Sequence, residues 1–183
     1  MTAIAAAVFL CLTLSAGVAR ADQNDERLDD LFARLAAAKD VEEARPIEAD
    51  IWHIWIASED SAVEALMNEG VGSMNRQDLP RALEYFNQVV AIAPDFAEGW
   101  NKRATVHYLL SNFAESLADI ERTLALEPRH FGALSGRGLV YFELKEEDLA
   151  LDSFEEALTI HPRMPGARSN AEALRKRLGD REI

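Results

Sequence analysis

The sequence predicts an all-α fold, a solenoid of stacked helical pairs, on three observations. Pro94, Pro128 and Pro162 succeed one another at a constant step of 34 residues. Between them apolar side chains step by three and four, as in Leu83, Phe86, Val90, then Leu117, Ile120, Leu124, then Leu151, Phe154, Leu158. That spacing lays one apolar stripe along a helix. Small residues also hold fixed columns, Gly70, Ala104 and Gly138 in one and Ala82, Ser116 and Ala150 in another. A small column on one helix of each pair lets the other approach closely.

The elements follow in order. Residues 1–21 read as a leader: AIAAAVFLCLTLSAGVA has the apolar character of a signal-peptide core, and Ala19-Arg20-Ala21 is a small-x-small cleavage pattern. Cleavage is expected after Ala21, placing the mature chain in the periplasm or outside the cell, with no membrane insertion afterwards; the rival reading of the segment is an uncleaved membrane anchor. Cys11 is the sole cysteine and leaves with the leader, so neither a disulfide nor a thiolate is expected in the mature chain. Residues 22–62 form an N-terminal helical hairpin, with helices over 25–38 and 41–57. Pro46 falls early in the second, which predicts a kink or a later start. Ile51, Trp52, Trp55 and Ile56 make a broad apolar face expected to seal the front of the array.

Three helical pairs then occupy 63–96, 97–130 and 131–164. Each proline ends a second helix by removing a backbone donor and fixing its own torsion. Ser61 with Glu64, Asp95 with Glu98, and Asn112 with Glu115 have the spacing of capping boxes at helix starts. The final segment, 165–183, reads as a capping helix with Ala167, Ala171, Leu174 and Leu178 on one face, closed by Gly179.

Leu66, Trp100 and Leu134, the small residues four positions on, the Ala82, Ser116, Ala150 column, the Phe86, Ile120, Phe154 column and the closing prolines together resemble the tetratricopeptide repeat, of the kind found in exported bacterial proteins. Two columns depart from it. The usually apolar seventh position holds Glu69, Arg103 and Arg137, and the usual aromatic at position eleven is kept only by Tyr141, with Ser73 and His107 elsewhere. Looser packing within the first helices is the expectation from those departures.

The resemblance implies a right-handed α-solenoid whose first helices line a groove for a protein or peptide partner. Carried over by position, the groove residues are Glu64, Met67, Val71, Met74 and Asn75 in the first repeat. The second repeat supplies Glu98, Asn101, Thr105, Tyr108 and Leu109, and the third Gly132, Ser135, Leu139, Phe142 and Glu143. The family's clamp for a carboxylate-ended peptide needs Lys and Asn where this chain has Met67, Val71, Gly132 and Gly136, so that clamp is missing. Met67, Met74, Tyr108 and Phe142 instead offer apolar area with tolerance of shape.

Charge and chemistry narrow the function classes further. With 19 Lys and Arg against 32 Asp and Glu, neither a nucleic-acid backbone nor an anionic lipid surface is the expected partner. His53, His107, His130 and His161 are scattered without metal-ligand spacing. No serine has a nucleophile setting. The GVG and GRG stretches at 70–72 and 136–138 read as packing spacers inside helices. No enzyme activity, metal or cofactor is therefore expected, and the reading is a scaffold or adaptor for protein–protein interaction. The alternative is a self-associating structural protein, a homodimer formed through the Trp52/Trp55 face or the C-terminal helix.

Overall fold

The computed structural model describes residues 22–180. The leader, its cleavage point and Cys11 lie outside the described residues, as do residues 181–183. Among the described residues the chain forms nine α-helices after a 3-10 turn at Asp22–Asn24. A hairpin of α1 (Arg27–Ala37) and α2 (Val41–Ile56) comes first. The pairs α3 (Ser61–Asn75) with α4 (Leu79–Ile92), α5 (Ala97–Leu109) with α6 (Phe113–Leu126), and α7 (Phe131–Glu143) with α8 (Glu147–Ile160) follow, and α9 (Pro165–Gly179) closes the array. From α3 to α9 each helix packs on the next, which is the stacked solenoid the period predicts.

The joints inside the pairs repeat as faithfully as the prolines between them. Gln77, Ser111 and Lys145 adopt left-handed backbone at φ 62°, 60° and 67°. Around them the N–H groups of Asp78, Asn112 and Glu146 bond to the carbonyls of Ser73, His107 and Tyr141 at 2.9, 2.8 and 2.9 Å, which is Schellman closure of the first helix. No glycine marks these sites, so the left-handed turn has no local cue among the residues. Gly179, expected to close α9, instead lies within it, and among the described residues no glycine has positive φ.

Helix starts differ in detail from the expected caps. Asp60, not Ser61, caps α3, accepting from Ala62 N at 2.8 Å. Asp95 does not cap α5: it faces Arg122, and Glu98 turns inward. Asn112 holds the N-cap position of α6 without a side-chain bond. A capping box unmarked in the sequence reading starts α2, where Asp40 accepts from Glu43 N and Glu43 from Lys39 N, both at 2.9 Å. This box starts α2 at Val41, so Pro46 sits inside the helix and does not delay it.

Close approach within each pair is set as the small column requires. A Cβ on Gly70 would lie 2.6 Å from the Phe86 ring, and one on Gly138 2.7 Å from the Phe154 ring. Both rings are fully buried. Between α5 and α6 the second repeat uses a polar contact, Ser116 Oγ donating to Ala104 O at 2.9 Å. Gly138→Leu gains helix propensity but drives a side chain into Phe154. Net destabilisation of roughly 2 kcal/mol is expected after overpacking and propensity are set against each other, and urea unfolding checks it.

The expected looseness at position seven does not occur in the second and third repeats, whereas Glu69 of the first is exposed. Arg103 donates twice to the Asp119 carboxylate, both at 2.7 Å, and to Asn87 at 3.1 Å. Arg137, one repeat on, bonds to Ser153 Oγ at 3.0 Å and to Glu156. In these two pairs the guanidinium forks tie the first helix to the second, replacing apolar contact with directed hydrogen bonds.

The largest correction concerns the N-terminal hairpin. It does not stack in front of α3 and α4; it runs along the row of turns between repeats. Gln23 Nε2 donates to Asp95 O at 2.8 Å, Arg129 to Asp29 at 2.7 Å, and Arg163 Nε to Ala38 O at 2.8 Å. Its core of Leu28, Leu31, Leu35, Ile47, Ile51 and Trp55 is completed by Phe131, with Ile160 and Met164 packed against it. The tryptophans find their partners there because residues 130–132 present two rings and a bare backbone. A Cβ on Gly132 would lie 2.7 Å from Trp52.

Candidate functional site

The first helices α3, α5 and α7 bring most of the expected groove residues together in two neighbouring cavities. One, of about 180 Å³, lies between α5 and α7 and is lined by Asn101, Thr105, Tyr108, Ser135 and Leu139, over Ala104 and Ile120. The other, of about 360 Å³, lies at the seam of the first two repeats, lined by Met67, Val71, Glu64 and Lys102. Its far wall is the end of α2, with His53 and Ile56. Met74 packs on the core of the first repeat. Asn75, Leu109 and Phe142 are exposed and line neither cavity. Burial, with the Glu143 carboxylate adding to it, holds the Tyr108 phenol above its ordinary value.

Two further positions carried over from the family are taken up by contacts inside the chain. Gly132 touches the α5–α7 cavity but lies beneath Trp52. Glu98 is 1% exposed. Its Oε2 accepts from Asn101 Nδ2 at 2.8 Å and lies 3.0 Å from His130 Nε2, while Lys102 Nζ sits 2.8 Å from Oε1. Because His130 Nδ1 accepts from Ala133 N at 3.1 Å and so caps α7, the imidazole proton belongs on Nε2, which donates to Glu98. Burial pushes the Glu98 carboxyl upward, but the bond from His130 and the charge of Lys102 outweigh it and hold the group below its ordinary value. Trp55 stacks on the other side of His130 at 4.2 Å and 9°.

A second histidine repeats this arrangement more openly. His161 Nε2 lies 3.3 Å from Glu48 Oε2 of α2, and the bond holds the Glu48 carboxyl below its usual range against partial burial. His53 is exposed, and His107 lies 4.0 Å from Asp119. Sequence reading missed the role of His130. The available signal was its column, in which Phe96, His130 and Met164 recur 34 residues apart and the histidine alone is polar.

The faces expected to support a homodimer are occupied within the chain. Trp55 is 3% exposed, Trp52 packs edge-on against Trp55, His130 and Phe131, and α9 buries Ala167, Ala171 and Leu174 with the third repeat. Among the described residues no helix is long and apolar enough to cross a membrane.

Comparison with known proteins gives matches across most of the chain. A family model described as tetratricopeptide repeat matches residues 101–165. A TPR repeat-containing protein of Rhizobium etli is 34% identical over 153 residues, spanning 84% of this chain and 75% of that protein. Hsp70-Hsp90 organizing protein 3 of Arabidopsis thaliana is 26% identical over 112 residues, 59% of this chain but 20% of that much longer protein. Among solved structures, the first TPR of Spaghetti (RPAP3) bound to the HSP90 peptide SRMEEVD is similar with a TM-score of 0.63 at 20% identity, covering 66% of this chain and 96% of that one. The Sgt2 TPR domain from Aspergillus fumigatus is similar at 0.64 and 18% identity, covering 67% and 83%. At these identities the structural likeness concerns the fold alone.

Proposed function

This chain belongs to the tetratricopeptide repeat family, and from that premise we propose that it is a non-enzymatic adaptor that holds a segment of another protein along its first helices. The observation that carries this reading is the pair of adjoining cavities, in which side chains of α3, α5 and α7 line surface that packing leaves open. A solved relative in fold holds an HSP90 peptide, which supports a peptide as occupant. Its ending is of a different kind here. Met67, Val71, Gly132 and Gly136 stand where a carboxylate clamp needs Lys and Asn, and the chain carries a formal net charge of -13. An acidic peptide with a free carboxylate is therefore disfavoured, and an internal segment with apolar anchors is favoured.

The proposed place of action is the periplasm or the exterior. The apolar leader ending in Ala19-Arg20-Ala21 supports this, and amino-terminal sequencing of the protein from its own cells is expected to begin at Asp22. The groove is tested with Tyr108→Ala combined with Phe142→Ala. Partner retention on immobilised mature chain should fall by about tenfold or more, since aromatic anchors dominate such contacts, while circular dichroism stays unchanged. Undiminished retention would remove the groove from the reading.

A further inference from the structure

We propose that the cavity between the end of α2 and the first helices of the first two repeats is a binding pocket built jointly by the hairpin and the array, taking one large apolar side chain from a partner segment that has a lysine or arginine beside it. This rests on the peptide-adaptor reading above and assigns the hairpin a part in it.

Size favours this cavity over its neighbour. At about 360 Å³ it is twice the α5–α7 cavity at about 180 Å³, and it falls where ligand pockets begin, at roughly 300 Å³. Clefts of similar volume along α1 and α2 and beside the start of α9 are lined mostly by charged side chains. Here the lining includes Met67, Val71 and Ile56, and Ile56 is 47% exposed although it is one of the largest apolar side chains on α2. Methionine gives such a lining tolerance of shape.

Charge selects what stands next to the apolar anchor. Lys102 is the one lysine or arginine lining the cavity, and its ammonium is already held 2.8 Å from Glu98 and 5.5 Å from the Trp52 ring centroid. Glu64 lines the cavity and is exposed. Glu59 and Asp60 follow on the linker that leads from the cavity wall at Ser58. With Lys102 engaged by Glu98 and Asp60 engaged as the α3 cap, the carboxylate left facing the cavity is that of Glu64, which attracts a cation in the partner and repels an acid. The wall is fixed in place because α2 is pinned through Trp55 on His130 and Glu48 on His161, so little ordering is needed on binding.

The probe is a fluorescein-labelled Gly/Ser peptide carrying one Phe flanked by Lys, titrated with residues 22–183 and read by anisotropy. Saturable binding that weakens with salt is expected, at least about fivefold weaker for Ile56→Ser and about tenfold weaker for Glu64→Lys. Ile56 is half exposed and Glu64 is on the surface, so both variants keep the fold, which circular dichroism verifies. Absence of binding, equal binding of a peptide with Asp in place of Lys, or wild-type affinity in Ile56→Ser would each overturn the pocket. If Ile56→Ser binds normally while Tyr108→Ala with Phe142→Ala does not, the joint pocket falls and the groove reading stands.

Discussion

Trp55→Ala is expected to lower the thermal midpoint by about 10 °C and to strip amide-exchange protection from α1 and α2 before the rest of the chain. Three contacts of this side chain produce the effect. It stacks on His130 at 4.2 Å, packs on Phe131 with ring centroids 5.0 Å apart, and meets Trp52 edge-on at 5.3 Å. Truncating a buried tryptophan costs about 3–5 kcal/mol when the surroundings cannot collapse, and collapse is blocked here because the opposing wall is the backbone turn between repeats. A chain of this length loses about 2–4 °C for each kcal/mol. The loss should be local first, since a weakened contact with Phe131, the Glu48–His161 pair and the hydrogen bonds of Gln23, Arg129 and Arg163 are then the remaining ties to the turns. Trp55→Phe keeps a ring on His130 and should recover most of the difference. An unchanged midpoint in Trp55→Ala would mean that the hairpin is held by something other than this stack.

That expectation also marks where the sequence was readable and where it was not. Pro94, Pro128 and Pro162 disclosed the period, and Leu83, Phe86 and Val90 with their equivalents disclosed the helices, because a solenoid repeats nearest-neighbour contacts and each repeat reports its own packing. Gly70 and Gly138 were legible for the same reason, each having a ring directly opposite. The docking place of the hairpin was not legible. Trp52 and Trp55 announce an apolar face, but nothing in their spacing says that its partner lies some 75 residues on, at His130 and Phe131. Glu98 was misread because Asp95-Phe-Ala-Glu98 has capping-box spacing, and the spacing alone cannot show that the carboxylate finds a buried imidazole. The seventh-position arginines were misread in the opposite direction. Arg103 looks like a flaw in an apolar column until Asp119, sixteen residues on, is seen to receive it. Six of the groove residues share one cavity and three more share the next, since position on a first helix follows from the period. Which wall closes the second cavity depended on the hairpin and stayed hidden with it.

Glu98→Ala is expected to destabilise the protein by about 2–3 kcal/mol, because it strands the N–H of a buried imidazole and removes the counter-charge of Lys102. The carboxylate is 1% exposed and receives His130, Asn101 and Lys102 together. Its loss leaves the Nε2–H of a fully buried imidazole without an acceptor, and frees Lys102 from its place above Trp52. Glu98→Gln preserves the shape and one acceptor, so it should cost less and serves to isolate the charge. The pH dependence then follows from the direction of the shift. The folded-state carboxyl titrates below the unfolded value of about 4.3, so its contribution is complete above that pH and is lost as pH falls through the folded value. Wild type should therefore exceed Glu98→Gln in stability near neutral pH, and the gap should close as acid protonates Glu98. Glu48, lowered by His161, and Asp25, lowered to about 2 by Arg27, are present in both proteins and cancel in the difference. Urea unfolding of the two proteins across the acid range measures the gap. If it holds constant down to pH about 3, the buried carboxylate is not held ionised by His130 and Lys102, and the polar joint between the second and third repeats works through shape alone.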